Sequence, residues 1–459
     1  MRKISFKGME LYISIIATIN FIGLGIFQNQ HLKLISFFWI RTYQLGKIFL
    51  FIGFIIFGFM LGARVYKYIK FLSNLKIFLI SDITYLLFTT GYSISIYEEI
   101  SQQKTRLKDN EQLQIPNYLT IIVLFFQIVI GINISINYIH TTCFLKINSN
   151  EFSFLFIPLF LSLGILINEL LNYGYDQDIS PLYSYIAQII PILIRLFGSI
   201  FLAKQEKIRQ TENNNKVHVM GNTDEDKKLR VLKSYFTQYY QIIFLILLTT
   251  FSGSIFVQSY FDILNYVYIY SFQYYYYGYY HNFGIGSCNS CFGGYLIVIP
   301  GVNFLINIFN LVFQRHIKVK IHLCLSIGIL CLGLLLASYT YSCVSLMLIQ
   351  WGHKLGLGTF IYKIIPMTLP QNTMIQCFSI EFIAQFVQTC LLSTLYALRI
   401  QNSAQICSNI QKIFEGYFYF NLIGLVFLLF YWKEPKVKQQ NQEIQFQLID
   451  VKNNQQEQS

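Results

Sequence analysis

Hydrophobic positions in this chain come in long unbroken runs, not in the spaced stripes of a soluble helix. The runs cover 11–27, 47–63, 77–97, 117–140, 153–172 and 183–203, then 241–262, 294–313, 321–338, 343–365, 377–398 and 414–432. A bilayer-crossing helix needs about 20 mostly apolar residues. Each run meets or approaches that length, so the pattern predicts twelve transmembrane helices. Between the sixth and seventh runs lies a highly charged insert, KQEKIRQTENNNKVHVMGNTDEDKKLRVLK, from Lys204 to Lys233. It splits the chain into two six-helix halves.

Composition agrees with the bilayer as solvent. Hydrophobic residues make up 54% and charged residues 12% of the 459, where soluble domains carry about 25% charged. Mean hydropathy is +0.47. The net charge of +12 is not gathered into a basic domain, so a nucleic-acid partner is not expected. Basic residues sit at the ends of apolar runs, where they report orientation. Placing both termini and the insert in the cytoplasm puts most of the 34 Lys and Arg on that side. An even number of spans is then required, and twelve satisfies it. The tail after 432 is polar and rich in Gln, a composition that favours disorder.

Few polar residues interrupt the runs. Lys354 lies about halfway along the tenth, beside His353 and opposite Glu381 in the eleventh. A charged side chain at that depth costs ~2.5–3.5 kcal/mol on insertion scales, so it faces a cavity or a partner. An ion pair with Glu381 is one reading; snorkelling of Lys354 to the interface is the other. Arg195 and Arg399 are expected as interface anchors. Glu169 is read as either cavity-lining or near the outer surface, and Pro158, Pro191 and Pro300 as kinks. The spacing Cys288-Asn-Ser-Cys291 beside His281 lacks further metal ligands. No phosphate-binding loop, dinucleotide fingerprint or zinc spacing is present. Neither an enzyme nor a cofactor or metal is expected.

Several stretches resemble the sugar-porter branch of the major facilitator superfamily. Basic turns follow spans 2 and 8 at Arg64-Val-Tyr-Lys67 and Arg315-His-Ile-Lys318. Gly131-Ile132 and Leu163-Gly164-Ile165-Leu166 fall where that family has glycines and GIL in spans 4 and 5. Thr250-Phe-Ser-Gly253 resembles the start of its span 7, Gly356-Leu-Gly358 with Tyr362 its span 10, and Trp432-Lys-Glu434-Pro-Lys436 its closing PETKG. The resemblance implies an all-α membrane protein with two pseudo-symmetric six-helix halves that rock about a midplane site. It further implies substrate contacts at Thr249, Thr250, Gln258, Lys354, Tyr362, Glu381 and Gln385, and gating by Arg64, Lys67, Arg315 and Lys318.

The departures from that family matter as much. Acidic residues that pair with its basic turns are replaced by Ala63 and Gln314, and others by Cys143 and Met367. Closure on the cytoplasmic side is therefore expected to be weak. Two polar contacts to a hexose are lost at Ile255 and Pro158, and Lys354 stands where the family has Glu. Span 1, residues 11–27, holds no Asp or Glu, so downhill movement is expected over proton coupling.

The organisation read from sequence is thus a six-helix half (1–203), a charged linker (204–240), a second half (241–432) and a tail (433–459). The expected function is a multi-pass carrier of a small solute, a sugar or sugar-like molecule, in the plasma membrane or an internal vesicular membrane, with lipid as its other partner. A non-transporting membrane sensor or structural subunit is the rival, as is a carrier of an anionic solute.

Overall fold

The computed structural model describes residues 6–41, 46–108, 117–148, 151–173, 181–214, 240–249, 289–313, 317–339, 343–369, 371–399 and 406–432. Almost all of these are helical. Helix α1 (Phe6–Thr18) continues after a one-residue turn into α2 (Asn20–Arg41), followed by α3 (Gly46–Ile69), α4 (Asn74–Lys108) and α5 (Asn117–Asn148). A 3-10 turn (Glu151–Leu155) leads into α6 (Phe156–Tyr173), and α7 runs from Pro181 to Asn214. After the charged insert come α8 over Tyr240–Thr249, α9 (Asn289–Phe313) and α10 (Val319–Tyr339). Helix α11 (Cys343–Gly352) passes through a π-helical turn (His353–Leu357) into α12 (Gly358–Thr368), followed by α13 (Gln371–Arg399) and α14 (Ile406–Phe430).

All twelve apolar runs therefore carry helix within the described residues. Helix α7 also extends beyond its apolar run, through Asn214 into the charged insert. Six helices among the described residues are long and apolar enough to cross a membrane, with shorter apolar helices at Tyr240–Thr249, Pro300–Phe313 and Phe414–Phe430.

Beside a buried apolar core, the outward helix faces carry apolar side chains and the polar ones turn inward, the reverse of a soluble bundle's surface. On α4, Ile80, Ile83, Leu87 and Ile94 are exposed, while Asp82, Tyr85, Thr89 and Tyr92 are buried. On α7, Ile186, Ile190 and Phe197 face out while Ser184, Gln188, Arg195 and Ser199 face in. Hydrocarbon accepts the first set without cost, and the second finds hydrogen bonds only inside the bundle. This is the surface of an integral, multi-pass membrane protein.

Without a hydrophobic driving force between helices, close packing must hold them. Glycines make it available. A Cβ on Gly25 would run into the Leu161 carbonyl and one on Gly164 into the Ile22 carbonyl, so α2 and α6 meet backbone to backbone. Gly58 and Gly131 do the same for α3 and α5. The glycines at 131 and 164 singled out in the sequence thus mark helix contacts.

The structure corrects two readings. Arg195 is no interface anchor: it is fully buried, with Nε donating to Asp82 Oδ2 at 2.8 Å and Nη2 bonding both Asp82 Oδ1 and Asn137 Oδ1. Its guanidinium also lies over the Phe78 ring at 4.9 Å. A charge this deep is tolerated only when paired and hydrogen-bonded. Pro158 sits in the first turn of α6, where its missing N–H has no helical partner to lose, so it starts a helix instead of kinking one. Pro191 and Pro300 do lie inside helices.

Candidate functional site

Helices before the charged insert meet helices after it along a seam of aromatic and amide side chains. Tyr138 of α5 packs edge-on against Tyr362 of α12 and Phe378 of α13, with centroids 5.4 and 4.9 Å away. Phe59 of α3 meets Phe382 of α13 at 5.4 Å, and Phe57 meets Phe386 at 6.2 Å. Asn307 of α9 reaches across to α6, donating to Ser162 Oγ at 3.0 Å and to the Pro158 carbonyl at 3.3 Å.

One and two turns along α13 from Phe378 stand Glu381 and Gln385, both buried. The Gln385 amide donates to Glu381 Oε1 at 2.9 Å. Tyr138 and Tyr362 lie within electrostatic reach of the carboxyl. The hydroxyl of Tyr138, Glu381 Oε2 and Gln385 Oε1 are buried with no hydrogen-bond partner among the described residues. Polar atoms left open in a buried seam are what a solute or water would satisfy.

Span 10 bends around its π turn. Leu357 N–H donates to Ser326 Oγ at 3.2 Å, and that hydroxyl donates to the Gly352 carbonyl. Asn310 Nδ2 donates to the Lys354 carbonyl at 3.0 Å. Neighbouring helices thus meet backbone groups that the wider turn leaves without α-helical partners. Gly352 fits because a Cβ there would strike the Leu330 backbone, and a Cβ on Gly356 would lie 2.7 Å from Ser326 Cβ.

Of the residues expected at the site, Tyr362, Glu381 and Gln385 come together. Lys354 is 6% exposed, which removes the snorkelling reading. Glu381 takes its hydrogen bond from Gln385 and not from Lys354. Thr249 is buried on α8 and its hydroxyl has no partner. Thr250, Gln258 and Arg315 lie outside the described residues, as do Cys288 and His281. Arg64, Lys67 and Lys318 are exposed. Glu169 is buried and accepts from Asn29 Nδ2 at 2.9 Å.

Tyr138 and the asparagines of α9 escaped the sequence reading. The asparagines left a signal: Asn303, Asn307 and Asn310 recur at intervals of four and three, one face of an otherwise apolar helix, and each is buried. Tyr138 left none, because it stands two residues from the end of the apolar run at 140; helix α5 continues to Asn148 and carries the phenol into the bundle.

No protein-family model and no curated protein matches the sequence. Solved structures do. The E. coli xylose transporter XylE, in a partially occluded inward open conformation, superposes with a TM-score of 0.64 at 14% identity, over 93% of this chain and 98% of that one. A bacterial homologue of the iron transporter ferroportin, outward-facing, gives 0.63 at 10% identity over 92% and 98%. The nucleoside transporter NupG gives 0.55 at 12% identity over 92% and 100%. The chain has the major facilitator fold.

Proposed function

We propose that this chain is a membrane carrier, twelve transmembrane helices in two six-helix halves, that moves a small solute by alternating access. The seam carries the reading: open polar atoms of Tyr138, Glu381 and Gln385 meet where α5 of one half packs on α12 and α13 of the other. A site between rocking halves is exposed to each side in turn. Sugar hydroxyls both donate and accept, so the phenols of Tyr138 and Tyr362, the Gln385 amide and Thr249 suit a sugar or sugar-like solute. Thr250, Gln258 and Lys354 complete the proposed contacts, and Arg64, Lys67, Arg315 and Lys318 the proposed gate.

Uptake by proteoliposomes tests this. Saturable accumulation of labelled D-xylose, D-glucose or uridine, blocked by excess unlabelled solute, is the expected result. Folded protein that moves none of these, and no small organic anion, would instead fit the sensor or structural-subunit reading. An anionic solute is the second carrier reading, favoured by the burial of Lys354. Span 1 has no carboxylate, which argues for downhill movement; the carboxylate in the seam bears on the same question.

A further inference from the structure

A donor is missing between two groups of the seam. Glu381 Oε1 accepts the Gln385 amide at 2.9 Å, and the two atoms left over in the pair, Glu381 Oε2 and Gln385 Oε1, are both acceptors, both buried and both without a partner. An ionised carboxylate cannot satisfy either, since it only accepts. A proton on Oε2 converts that oxygen into a donor and supplies the one hydrogen atom the pair lacks. A protonated acid, unlike a carboxylate, can both accept from an amide and donate to it.

Among the described residues, no positive charge is seen acting on Glu381. Groups within electrostatic reach are Tyr138 on α5, Tyr362 on α12 and Cys377 on α13 itself, all neutral at ordinary pH. Helix α3 presents Phe59 and Phe57 to this part of α13. The two buried lysines of span 10 have other neighbours: Lys354 acts on His353 and Lys363 on His322. A lone carboxylate in such a place is strongly disfavoured.

We propose that Glu381 is a proton-binding site of the carrier: it holds a proton on Oε2 while the seam is closed and releases it to water when the halves part, so closure is linked to proton uptake. This rests on the reading of the chain as an alternating-access carrier. It also supplies, in span 11, the carboxylate that span 1 lacks. The step is a proton transfer only: before closure Oε2 takes a proton from hydronium in the water of the open seam, forming an O–H bond and leaving water, and on opening that bond breaks and the proton returns to water as hydronium. Because the closed state binds more protons, acid favours it and alkali favours separation.

The test uses the full chain in lipid nanodiscs. Infrared difference spectra of wild type minus Glu381→Gln should show the carbonyl band of a protonated carboxyl at neutral pH. Spin labels at Tyr68→Cys and Tyr431→Cys, one exposed site on each half, are placed in a background whose labelling-competent cysteines are replaced by serine. In the wild-type seam, alkaline pH should move the distance distribution to longer values. Glu381→Gln, which keeps the shape and cannot ionise, should stay at one distance throughout, and Glu381→Asp should restore the pH dependence. Absence of the carboxyl band, or the same pH response in wild type and Glu381→Gln, overturns the proposal. In proteoliposomes offered D-xylose, D-glucose and uridine, an inward proton gradient should raise the initial rate for whichever is carried, and Glu381→Gln should lose that stimulation. If none is carried, the carrier reading fails; if one is carried with no response to the gradient, the proton site fails alone.

Discussion

At the scale of single residues, the buried pair of Asp82 and Arg195 is the most exposed to mutation. Removing one member of a buried ion pair strands the other charge, at a cost of about 3–5 kcal/mol, whereas replacing both by apolar residues of similar size is often neutral. Arg195→Leu alone is therefore expected to lower the melting temperature and the monodisperse yield in detergent sharply. Asp82→Leu together with Arg195→Leu should recover most of the loss. A double variant no more stable than Arg195→Leu would mean that the guanidinium matters through Phe78 and Asn137 more than through the carboxylate. The pair was half legible in the sequence. Ser184, Gln188, Arg195 and Ser199 recur at intervals of four, seven and four, which places Arg195 on the polar, inward face of α7. What the sequence could not supply was the neighbouring helix, since Asp82 lies 113 positions away and nothing in either span names the other.

At the scale of elements, spans and their packing separate cleanly. Apolar runs revealed the helices because lipid demands internal hydrogen bonding over a fixed thickness, and Gly131 and Gly164 revealed contacts because only glycine lets backbones approach so closely. The π turn at His353–Leu357 had no such mark: it depends on Ser326 and Asn310, which belong to other helices. Gly356 packs closely, since a Cβ there would meet Ser326 Cβ; the widening of the helix beside it comes from tertiary partners. Ser326→Ala should leave the Leu357 N–H and the Gly352 carbonyl without their hydroxyl partner. A buried group so stranded costs about 1–3 kcal/mol. Faster amide exchange over 353–357, with α9 and α14 unchanged, is the expected result. Ser326→Thr keeps the hydroxyl and should leave the exchange slower than in Ser326→Ala.

At the scale of the whole molecule, what holds the helices before the charged insert to those after it differs from what the basic turns would imply. The resemblance to sugar porters leads to a gate of acid–base pairs, yet the acids are missing, and Arg64, Lys67 and Lys318 are exposed. Closure at the end where α5 and α12 terminate uses other means: Lys146 Nζ donates to the Leu369 carbonyl, and Tyr138 and Asn307 tie the halves deeper in. Such an arrangement could not be read from charge pattern, because a backbone carbonyl is a partner that every residue carries. It also makes Lys146 the residue whose loss should shift the conformational balance. A hydrogen bond to a charged group is worth about 1.5–3 kcal/mol, and the exposed part of this one lowers the figure toward the bottom of that range. Since 1.4 kcal/mol is tenfold in an equilibrium constant, Lys146→Ala should favour separation at this end by roughly tenfold. The distance between labels at Tyr68→Cys and Tyr431→Cys would report it, as would faster alkylation of a cysteine placed at Leu369. Lys146→Arg keeps a cationic donor and should behave as wild type. If Lys146→Ala leaves both readouts unchanged, closure rests on the aromatic seam alone, and Tyr138→Ala becomes the variant that should open it.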